Sequence, residues 1–236
     1  CVAASASQQA PHPARVTRAL EGSGFHPTVR TLVQTQPPHA PAGVEQRCAV
    51  MLLEHLPREV YVDVYQLQEL TRVDGAAEVH VQGAIDLEKP SSVSPPHTVL
   101  FVKECELLAN GEVSAEFVVP VHLRYQPPSA TSAAAPVRLP PPLAFLSCVS
   151  GDAAAPPQTR THSVLATYVS CFPTLPARFA SSEASVHVLD VSQVQELASA
   201  VPVGQLEAAP IVTAVTTSVT LAGMLAVCVA ILTRSW

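Results

Sequence analysis

Lysine is almost missing from this chain: Lys89 and Lys103 are the only two among 236 residues, and they stand far apart. The formal net charge is −6 and the sequence pI about 5.8. Such a chain offers no basic field for a phosphate backbone and no polybasic strip for anionic headgroups. Nucleic acid is not an expected partner. Asparagine is scarcer still, since Asn110 stands alone and is followed by Gly111-Glu112, leaving no N-x-[ST] glycosylation site. Charged residues make up 14% of the chain, against roughly a quarter in an average soluble domain, while hydrophobic residues reach 48%. Part of this protein avoids water.

Catalytic patterns are absent as well. The nine histidines are dispersed, with no HExxH or HxH, and no cysteine pair has zinc-ligand spacing. Asp63, Asp74, Asp86, Asp152 and Asp190 are isolated, so no DxD pair could hold the cation of a sugar transferase. Gly22-Ser23-Gly24 lacks the spacing of a nucleophile elbow, and no glycine-rich loop could cradle a phosphate. The expectation is a protein without an active site, cofactor or metal of its own.

What the chain does contain is a long apolar run. No charge occurs from Ala208 to Thr233, and the 23 residues 211–233 rise about 34 Å as a helix, enough to cross a hydrocarbon core of about 30 Å. Lipid leaves backbone amides no partner except one another, so a helix is required there. The five threonines and Ser218 can return their hydroxyls to carbonyls one turn earlier. Glu207 precedes the run and Arg234 follows it, which points residues 234–236 to the cytoplasm and residues 1–207 to a lumen or the exterior. A chain opening at Cys1 fits removal of a signal peptide, which sets the same topology. Ala214, Ser218, Ala222, Ala226 and Ala230 recur at every fourth position. This row is either a helix-packing stripe or a consequence of abundant alanine.

The remainder reads as a β domain over 20–207, preceded by a flexible segment 1–19. Along VSAEFVVPVHLRY, residues 113–125, Val113, Ala115, Phe117, Val119, Val121, Leu123 and Tyr125 alternate with Ser114, Glu116, His122 and Arg124, the pattern of a half-buried strand. Pro120 marks it as an edge strand or a bulged one. Weaker strand signals lie at Val44–Leu53, Glu59–Val64, Thr98–Val102, Leu143–Cys148, Ser163–Val169 and Ala184–Val191, with short helices allowed at Tyr65–Thr71 and Ser192–Ala200. Short strands punctuated by proline predict a mainly β, sandwich-like fold. The Pro/Ala-rich stretches 126–142 and 151–158 are expected to be surface loops. Cys228 lies in the apolar run, whereas Cys48, Cys105, Cys148 and Cys171 are either disulfide partners in an oxidising compartment or free buried thiols.

Four strings carry a family resemblance: GFH at Gly24–His26, LPREVYVDVYQL at Leu56–Leu67, PVHLRYQPP at Pro120–Pro128 and VPVG at Val201–Gly204. In order and spacing, ahead of one C-terminal helix, they resemble the PIG-X family and its fungal Pbn1 members. Where that family reads PxGLYVDPYEL this chain has PREVYVDVYQL, and Pro27 stands where the family has an arginine. The resemblance implies a non-catalytic role in the endoplasmic reticulum, as the small, regulatory subunit of glycosylphosphatidylinositol (GPI) mannosyltransferase I. Such a subunit binds and stabilises the catalytic subunit PIG-M, which adds the first mannose to the GPI-anchor precursor. Tyr61, Asp63, Tyr65, His122, Arg124 and Tyr125 become candidate partner contacts, against core packing for the tyrosines and an ion pair within the domain for Arg124. The rival reading is a GPI-anchored or single-pass receptor-type ectodomain, with a small-residue processing site near Ser199-Ala200.

Overall fold

The computed structural model describes residues 10–37, 46–74, 77–150 and 184–234. The expected strand at 163–169, the loop at 151–158 and Cys171 lie outside these residues. Two antiparallel sheets face each other. One has the order β1-β2-β8-β7, from β1 (Ala14–Glu21), β2 (Thr28–Thr35), β7 (Glu106–Leu107) and β8 (Val113–Pro120). The other runs β12-β11-β3-β6-β5, from β3 (Gln46–Leu56), β5 (Glu78–Val81), β6 (His97–Glu104), β11 (Leu143–Ser150) and β12 (Ala184–Val188). Among the described residues two short ribbons accompany the sheets: β4 (Val60–Tyr61) with β9 (His122–Leu123), and β10 (Ala134–Leu139) with β13 (Leu197–Pro202). Two helices follow the same numbering, α1 (Val64–Asp74) and α2 (Ala209–Arg234).

Alternation explains the sandwich. In β2, Val29, Thr31, Val33 and Thr35 are buried and the residues between them are half-exposed, so one face packs inward. Val16, Val33, Leu52, Phe101, Phe117 and Leu146 meet between the sheets, each contributing about 1.5–3 kcal/mol through burial. The second sheet is buried on both faces, since Met51, Leu53, Phe145 and Val186 form a separate cluster on its far side. This accounts for the nearly continuous apolar run of β3. Inside the sandwich, Arg18 of β1 reaches Glu54 of β3 at 2.7 Å and donates to the Pro140 carbonyl at 2.7 Å, with the two ionic side chains 1% and 6% exposed. In a pair so dehydrated the cost of desolvation offsets much of the attraction, so it adds little net stability while losing one partner would be costly.

Several expectations need correction. Strand β1 begins at Ala14, inside the segment expected to be flexible. The 126–142 stretch contains strand β10, because Val137 and Leu139 alternate into the core, and its ribbon pairs it on one edge only, which tolerates Pro136. Residues 197–200 of the possible helix Ser192–Ala200 instead belong to β13, on the same ribbon. The extended reading of Glu59–Val64 holds only for Val60–Tyr61, since α1 starts at Val64. The long alternation ends at Leu123: Arg124 is 3% exposed and Tyr125 is 75% exposed, the reverse of the sequence pattern. Pro120 lies where β8 has β2 on one side and has already left β7, so the expected local edge is present.

Cys48 and Cys148 are opposite each other on β3 and β11 and form a disulfide. Cys105, also a pairing candidate, is a free thiol pushed up to about 12 by burial. It stays protonated and unreactive.

Candidate functional site

The site is assembled where three loops cross the β4–β9 ribbon. Gly24 adopts φ +76°, a conformation that only glycine takes without strain, and this bends the β1–β2 turn across β9. Leu123 N then donates to the Phe25 carbonyl at 2.8 Å and Val121 N to the Pro27 carbonyl at 2.9 Å. From the other side, Arg124 N donates to the Glu59 carbonyl at 2.8 Å. The chain turns into α1 because Asp63 caps it: Oδ1 accepts from Tyr65 N at 2.9 Å and Gln66 N at 3.3 Å.

Rings fill the crossing point. Tyr61 stacks on His122 with centroids 5.0 Å apart and planes 18° apart, and His26 meets His122 edge-on at 4.9 Å. His122 Nε2 lies 3.0 Å from Gln66 Oε1, an acceptor, so the ring carries its proton on Nε2. Its Nδ1 therefore accepts from His26 Nδ1 at 2.9 Å. Protonating both rings would set two N–H groups against each other. Burial, and then the neighbouring His26, hold His122 below the usual histidine range, with Asp63 opposing.

Arg124 lies beneath this stack. Its guanidinium carbon is 4.4 Å from the Tyr61 ring centroid, and Nη1 donates to the Lys89 carbonyl at 2.6 Å. Nε and Nη2 are buried without a hydrogen-bond partner among the described residues. Gln126 donates to the Arg124 carbonyl and accepts from Ser91 Oγ, both at 2.9 Å, tying the 89–91 segment to the end of β9. Burial lowers the Arg124 pKa, but a guanidinium remains a cation.

The cluster continues into the root of the C-terminal helix. Ser129 N donates to the Gly204 carbonyl at 2.9 Å, and Leu206 N to the Ser129 carbonyl at 3.1 Å. A single 3₁₀ turn, Leu206–Ala208, then leads directly into α2. All four strings that carried the resemblance thus meet at the end of the domain from which this helix departs.

Not every candidate contact is on the surface. Tyr61, Asp63 and Tyr65 do not share an extended face, because a helix start intervenes. Asp63 serves as the cap, Arg124 is internal, and Tyr61 and His122 are half-buried in the stack. Tyr65 at 78% and Tyr125 at 75% exposure are the accessible members. Sequence reading missed the roles of His26, Phe25 and Gln66; the GFH string contains two of them, but nothing local pairs His26 with His122, 96 residues away. The small-residue row lies on α2, where Ser218 Oγ donates to the Ala214 carbonyl at 2.8 Å, Thr220 to Thr216 at 2.8 Å and Thr233 to Val229 at 2.9 Å. The expected self-capping of hydroxyls is present at these three of the six positions.

Among the described residues, no group of three or more His, Cys, Asp or Glu side chains is placed to hold a metal. A cleft of about 450 Å³ beside α1 is lined by Leu67, Leu70, Val79, Phe101 and Phe117. Its two charges are engaged, with Lys103 donating to the Glu116 carbonyl and the Glu116 carboxylate paired with Arg30.

A family model described as PIG-X / PBN1 matches residues 22–232. Protein pbn1 of Emericella nidulans (strain FGSC A4) is 30% identical over 142 residues, covering 55% of this chain and 26% of the relative. The match thus spans about a quarter of that relative's length. No solved structure matches the chain.

Proposed function

This chain belongs to the PIG-X / PBN1 family, a family of GPI-anchor biosynthesis, and from that membership we propose that it is the non-catalytic, small subunit of GPI mannosyltransferase I. In this reading it binds and stabilises the catalytic subunit PIG-M, which adds the first mannose to the GPI precursor in the endoplasmic reticulum. The residues from Leu206 to Thr233 are long and apolar enough to cross a membrane. Here they do so, leaving the β domain in the lumen and the last residues in the cytoplasm.

The observation that supports the proposal is that three of the family strings build one ring cluster, while the fourth, through Gly204, is hydrogen-bonded to Ser129 in the segment that leads from that cluster to the root of α2. A subunit that holds a multi-spanning enzyme needs a contact surface continuous with its own membrane helix, and the exposed side chains beside this cluster are the surface this reading assigns to it. The row Ala214, Ser218, Ala222, Ala226 and Ala230 follows an i+4 ridge, along which a second helix can approach closely. Tyr65 adds an exposed aromatic on the luminal side. Capture of the full chain from digitonin-solubilised microsomes tests the reading: the multi-spanning mannosyltransferase is expected to co-purify. Its absence from the captured material, with the chain intact and folded, would rule the assignment out.

A further inference from the structure

We propose that the edge of the domain formed by Val93, Tyr125 and Leu206 rests in the interfacial layer of the bilayer, so that the domain is seated on lipid beside its own helix. The inference rests on the reading that α2 crosses a membrane. These three side chains are 63%, 75% and 49% exposed, and together they form a small apolar edge that continues into the apolar span. Hydrogen bonds bring them to one region. Ser91 N donates to the Tyr125 carbonyl at 3.1 Å, which docks the 3₁₀ turn Ser91–Val93 against the segment leaving β9. Four residues later Ser129 accepts from Leu206 N at 3.1 Å.

Leu206 itself begins the apolar span. Four residues of extended chain reach at most about 14 Å, so Tyr125 cannot lie far from the point at which α2 leaves the domain. No flexible spacer separates domain from helix, because Gln205 passes directly into the Leu206–Ala208 turn and that into α2. The posture of this edge is therefore set by the helix.

Lipid is the occupant that suits this chemistry. Tyrosine, with an apolar ring and a polar hydroxyl, favours the headgroup boundary. The Tyr125 ring is braced from behind by Phe25, centroids 5.1 Å apart, so it is presented rather than folded away. The interfacial layer on each side of the hydrocarbon is about 5–8 Å deep, enough to take a tyrosine and a valine without unfolding anything.

The test uses single-tryptophan forms of the full chain, made in a Trp236→Phe background, since Trp236 is the only natural tryptophan. Each is reconstituted alone into phosphatidylcholine vesicles with or without bromine near the top of the acyl chain. Met224→Trp, in the middle of α2, reports whether the helix is inserted. Tyr125→Trp reports the proposed edge, and Ala109→Trp, in the exposed turn at the opposite end of β8, reports the far side of the domain. The expected result is quenching at 224, roughly twofold quenching at 125 and none at 109. Quenching at 224 with none at 125 overturns the inference alone and leaves this edge for a protein partner. Quenching at all three also overturns it, because the domain would then lie flat. No quenching at 224 would remove the membrane-spanning reading and the inference with it.

Discussion

Arg124 comes at the end of a strand whose alternation assigns it to water, yet it is 3% exposed and holds the Lys89 carbonyl beneath the Tyr61 ring. Removing the guanidinium leaves that carbonyl unpaired and opens space under the ring. Arg124→Met is expected to lower stability by about 2–3 kcal/mol, read from the urea midpoint. Arg124→Lys should restore little, since an ammonium cannot span both contacts. Tyr65→Ala should behave oppositely: unfolding should change by less than about 0.5 kcal/mol while capture of the catalytic subunit weakens. His122 supplies a pH signature. Its folded pKa is lowered, so its contribution to stability is present above the unfolded value near 6.5 and fades as pH falls below it. The stability difference between wild type and His122→Gln should therefore be larger at pH 7.5 than at pH 5.5, and a pH-independent difference would contradict a neutral His122 in the folded domain.

Among the elements, the sandwich strands carry the disulfide that the cysteine spacing left open. Cys48 and Cys148 lie opposite each other on neighbouring strands, 100 residues apart in sequence. Replacing both with alanine should cost about 2–4 kcal/mol and lower the thermal midpoint, whereas Cys105→Ala alone should do much less. The strands with clear apolar runs, β3, β6, β8 and β11, were legible because period and burial agree. Strands β10 and β13 were not, because each alternates small residues with proline and gains its burial from a partner about 60 positions away. The cluster was half legible for the same reason. Its strings were visible, but the His26–His122 and Arg124–Lys89 contacts are long-range and leave no local period. In α2, Ala222→Leu with Ala226→Leu should leave insertion intact and reduce co-purification of the multi-spanning subunit; undiminished capture would remove the row from the interface.

For the whole molecule, the proposed function divides the work of a companion subunit between a domain that makes contact and a helix that packs. The domain fixes the root of the helix through Ser129, Gly204 and Leu206, and the helix fixes where the domain's aromatic face can reach. The most direct measurement is the steady-state amount of the catalytic mannosyltransferase subunit in cells that lack this chain. The account predicts that the subunit's level and the first mannosylation of the GPI precursor both fall severalfold and return when the full chain is supplied. An unchanged level of that subunit, with mannosylation intact, would contradict it.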